Sequence, residues 1–81
     1  MSSDIVSHAI RQVSCDMATH VKESDNPAEQ EVATETICAL RVLAKLVREM
    51  TFEEAKATVL EMEDPERTRI TDLLGSKGIF L

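Results

Sequence analysis

The stretch Thr36 to Val47, TICALRVLAKLV, constrains the fold more than any other part of the chain, because nine of its twelve residues are apolar and only Arg41 and Lys45 are charged. A surface helix that shows one stripe to a core carries fewer apolar side chains. This density predicts a helix covered round most of its circumference by other helices or by a second chain. The expected fold class is therefore all-α: a compact bundle of three to four helices with a long central second helix, completed by dimerisation.

Size and composition point the same way. An 81-residue chain holds one domain and buries a modest fraction of its surface. With no Trp, no Tyr and only Phe52 and Phe80, the core must come from Leu, Val, Ile, Met and Ala. Each contributes little burial, so a helical chain of this size often completes its core by pairing. The net charge of −6 disfavours phosphate backbones and anionic membranes and favours basic partners. The opening MSSDIVSHAI lacks the basic start and apolar run of a secretory signal, and no segment reaches the ~18 uninterrupted apolar residues of a membrane span. A cytoplasmic protein is expected, and its size and style suggest a bacterial or phage origin. Cys15 and Cys38 are too few and too far apart for a disulfide framework or a zinc site, so both are expected as free thiols.

Periodicity and capping signals divide the single expected domain, 1–81, into four helices. Val6, Ile10, Val13, Met17 and Val21 share one arc at ~100° per residue, which predicts a first helix over about 4–23. Asn26 followed by Pro27, with Glu29 three residues on, starts a second helix over about 27–50. Thr51 with Glu54 forms a capping box for a third over about 52–63, whose inner face is Phe52, Ala55, Val59 and Met62. Asp64-Pro65 repeats the cap-and-proline signal for a fourth over about 65–74, ending at Gly75 before a tail over 75–81.

Few residues suggest chemistry. Asp16 and His20 have the i, i+4 spacing of a helical ligand pair, but His8 lies ~120° round the helix from His20, leaving no third ligand. Glu61, Glu63, Asp64 and Glu66 form an acidic cluster that reads first as solvation and favourable charge at a helix start, and second as a docking patch for a basic partner. An EF-hand is excluded, since the alternating oxygen ligands and central Gly are missing. Arg67, Arg69 and Lys77 supply the only basic spacing near a short helix, and neighbouring acids weaken a helix-turn-helix reading. No catalytic, cofactor-binding or metal-ligating residue is assigned.

Two small acidic helical families match in size only. Acyl carrier proteins carry Asp-Ser-Leu at the start of their second helix, where this chain has Ser24-Asp25-Asn26; colicin-type immunity proteins bind through a tyrosine pair, and Tyr is absent here. The function expected is non-enzymatic: a small acidic regulator of inhibitor or anti-activator type that binds a protein partner through apolar helix surface, with a transcriptional regulator or antitoxin-like protein contacting DNA as the alternative. The expected dimer or partner interface is Val32, Leu40, Leu43 and Val47, joined by Phe80 as the anchor of the apolar segment Ile79-Phe80-Leu81.

Overall fold

The computed structural model describes residues 2–81; Met1 lies outside the described residues. They form four helices, α1 (Asp4–Lys22), α2 (Pro27–Arg48), α3 (Phe52–Leu60) and α4 (Glu66–Ser76), and no strand. The fold is an all-α bundle. No helix among the described residues is long and apolar enough to cross a membrane.

Each junction has a local cause. The Asn26 side chain accepts from the backbone N–H groups of Ala28 and Glu29, and Pro27 fills the first helical position, where its missing N–H costs nothing. The Gln30 amide reaches back and donates to the carbonyls of Val21 and Ser24, satisfying acceptors at the end of α1. At Thr51 the capping box closes in both directions, with Glu54 N–H donating to the Thr51 hydroxyl and Thr51 N–H to the Glu54 carboxylate.

Three boundaries fall elsewhere than the sequence suggests, the first being α2, which ends at Arg48 short of residue 50. Helix α3 stops at Leu60, short of the expected residue 63, and its last turn tightens as Met62 N–H donates to the Val59 carbonyl. Pro65 disfavours helical backbone in the residue before it, so the chain must leave the helix ahead of Asp64. The Asp64 carboxylate then caps α4 from one position outside, accepting from the Thr68 N–H (3.2 Å) and hydroxyl (2.6 Å) and from Arg67 (2.6 Å). At the other end α4 runs through Gly75 to Ser76 instead of stopping at Gly75. The stop is Gly78, at φ +83°, a conformation that a Cβ penalises. Ile79 N–H donates to the Leu74 carbonyl and Gly78 N–H to that of Gly75, which is the Schellman pattern.

The core gathers Val6, Ala9, Ile10 and Val13 of α1, Leu40, Ala44 and Val47 of α2, Ala55 and Val59 of α3, and Ile70 and Leu74 of α4, closed by Ile79. Helix α2 is the longest, at 22 residues, but the helix that packs against all three others is α1. Its buried arc is wider than its apolar residues alone, because Ser3, Ser7 and Ser14 are buried too. The Ser7 hydroxyl donates to the Ala44 carbonyl at 2.6 Å and that of Ser3 to the Arg48 carbonyl at 3.3 Å. A side chain one carbon long can reach a facing backbone only if the helices approach closely. Ser7 against Ala44 is thus the tight point of the α1–α2 seam, and no buried side-chain polar atom among the described residues lacks a partner.

Burial is uneven along the molecule, which measures 40 × 23 × 17 Å. The 22 residues from Cys15 through Thr36, the distal half of the α1–α2 hairpin, include none that is fully buried.

Candidate functional site

The residues expected at an interface separate in the structure. Leu40 and Val47 are buried in the chain's own core, and Leu43 is half-buried against it, so they are occupied in holding α2 to α1. Val32 is 65% exposed, and the outward face also carries Val42 (58%) and Leu46 (54%). The coverage expected round most of α2 is not supplied within the chain. Its apolar density is shared between a core face and an outward face.

The apolar segment Ile79-Phe80-Leu81 divides between core and solvent. Phe80 is 82% exposed, Ile79 is buried and Leu81 half-buried. The Schellman turn is the reason: it aims the residue after Gly78 back onto Leu74 and turns the next one outward. Phe80 lies near Gly75, where a Cβ would stand 3.7 Å from its ring.

The main concave feature is an open groove of about 820 Å³ between the C-terminal half of α1 and α4, with Ala33 of α2 at one edge. Its apolar floor is Val13, Met17, Val21 and Leu73. Around them stand Asp16, His20, Glu66, Arg69 and Asp72. Three carboxylates against one guanidinium give the rim a negative bias. Asp16 and His20, the spacing noted in the sequence, both lie on it, whereas His8 sits on the far side of α1 with Asp4, Arg11 and Arg48 beside a shallow depression. No three His, Cys, Asp or Glu side chains among the described residues come together as a cation site. Cys15 and Cys38 are both exposed.

The acidic cluster and the basic triplet dissolve into separate tasks. Asp64 is spent on capping α4, and Glu66 is half-buried at the groove. Hydrogen bonds donated to Asp64 hold its pKa below the ordinary value, first from the Thr68 hydroxyl and then from Arg67. Arg67 is tied to Asp64, Arg69 stands in the acidic rim, and Lys77 caps the end of α4, so the three form no basic stripe. The groove itself was missed from sequence. Its lining comes from three helices, and the only local hint was that Met17 and Val21 extend the apolar arc of α1. Comparison of the chain with protein families, with curated proteins and with solved structures finds no match.

Proposed function

We infer that this chain is a non-enzymatic, cytoplasmic protein-binding regulator of inhibitor or anti-activator type, and that the groove between α1 and α4 receives a basic amphipathic helix of its partner. The observation that carries this reading is the pairing of an apolar floor with an acidic rim. A helix laid in such a groove buries its apolar face on Val13, Met17, Val21 and Leu73 and sets Lys or Arg side chains against Asp16, Glu66 and Asp72. Met17 adapts its shape to varied side chains. The rim groups are spread round an open groove, whereas catalysis draws titratable groups together in a pocket that sheds water.

The test uses the full chain as bait in extract of its native host, with mass spectrometry of what is retained, and a lysine-rich amphipathic peptide as a defined probe. Wild type is expected to retain a protein and to bind the peptide in a salt-sensitive way, and Asp16→Lys with Asp72→Lys to lose both while keeping its helical circular dichroism. Equal retention by the variant would overturn the groove as the site. Nuclease-sensitive retention of DNA in place of protein would favour the DNA-contacting alternative.

A further inference from the structure

The outward face of α2, opposite α1, carries an arrangement that the groove does not use. Glu31, Glu35, Cys38, Arg41 and Lys45 follow one another at spacings of 4, 3, 3 and 4, which keeps them on one side of a helix and makes the order symmetric about Cys38. The charges are antisymmetric about the same point. All three acids of α2, Glu29, Glu31 and Glu35, precede Cys38, and all three bases, Arg41, Lys45 and Arg48, follow it. Arg48 lies 4.0 Å from Asp4, whereas Glu31, Glu35, Arg41 and Lys45 have no ion-pair partner among the described residues. Val42 and Leu46 are exposed beside this row, and α2 packs chiefly on α1, so its outward side is open along its length.

We propose that this face pairs with the same face of a second copy, the two α2 helices running antiparallel about a two-fold axis near Cys38. In that arrangement Glu31 of one copy meets Lys45 of the other and Glu35 meets Arg41, each twice, because 31 + 45 and 35 + 41 both equal twice 38. Val42 and Leu46 of each copy border this seam, so the pairing covers apolar side chains that α2 leaves outside. A parallel pair sets acid on acid and base on base. The step from Glu35 to Arg41 rises ~9 Å along the helix, just beyond the ~8 Å over which salt screens charge at physiological strength, so the halves act as separate blocks. A uniformly basic or acidic partner would match one half and be repelled by the other; a reversed copy matches both. The pairing surface lies apart from the groove, so either can fail without the other.

The test is sedimentation equilibrium combined with cross-linking by a short bismaleimide. Wild type is expected to be dimeric at ~100 μM, and the Cys15→Ser chain to cross-link through Cys38, whereas Cys38→Ser, which keeps only Cys15, does not. Glu31→Lys with Glu35→Lys is expected to be monomeric with unchanged helicity, as is Arg41→Glu with Lys45→Glu, and mixing the two variants should restore a dimer that salt weakens. A monomeric wild type overturns the proposal. So does a dimer that survives either charge reversal or fails to link through Cys38, since it would use another face.

Discussion

Single residues decide the turns and the closest helix contact. Ser7 reads as polar in the sequence and therefore as outward, yet it is buried because its hydroxyl has a carbonyl to satisfy it across the seam. Ser7→Val should force α1 and α2 apart and cost about 1–3 kcal/mol by chemical denaturation, the usual cost of overpacking. Asp64 gives a pH signature. Its carboxyl titrates below the ordinary aspartate value of 3.8 when folded, chiefly because the Thr68 hydroxyl donates to it. The unfolded chain thus takes up this proton first as pH falls, so the stabilisation is present above pH 3.8 and is lost as pH drops through the lower folded value. The melting temperature of wild type is expected to exceed that of Asp64→Asn at neutral pH, with the gap closing below that point. A gap independent of pH would remove the charge from the explanation.

Helices were legible in the sequence where their signals are local. Asn26-Pro27 and Thr51 with Glu54 start helices through hydrogen bonds spanning two or three residues, so the sequence carries nearly all the information. The end of α4 was less legible, since Gly75 and Gly78 are both plausible stops and only the packing of Ile79 on Leu74 chooses between them. The facing of α2 was not legible, because a segment apolar on two sides does not say which side meets its own chain. The structure divides those sides, and denaturation at a concentration where the chain is monomeric can check the division. Leu40→Ala should cost about 2–5 kcal/mol. Leu46→Ala should stay within about 0.5 kcal/mol, as surface substitutions do.

At the scale of the whole molecule the bundle is closed by contacts between distant parts of the chain, with α1 against α4 and Ile79 completing the same core as Val6. Periodicity supplies each helix's inner face but not which helix lies at the centre, and the buried serines of α1 hide its width. Ile79→Ala is expected to lower stability by about 2–5 kcal/mol in a denaturant titration, and Phe80→Ala to leave it nearly unchanged; the reverse order would contradict the burial of Ile79 in the core. The distal half of the α1–α2 hairpin, without one fully buried residue, has a consequence for time rather than shape. Segments with little buried contact open locally at a fraction of the global unfolding free energy. Amide hydrogens from Met17 to Ala33 should therefore exchange well before those of Val6 to Val13, and because Met17, Val21 and Ala33 line the groove, its width should fluctuate with that opening. A helix seated there would slow the exchange of the hairpin tip ahead of any other part of the fold, and an occupied groove would register as a quieter hairpin.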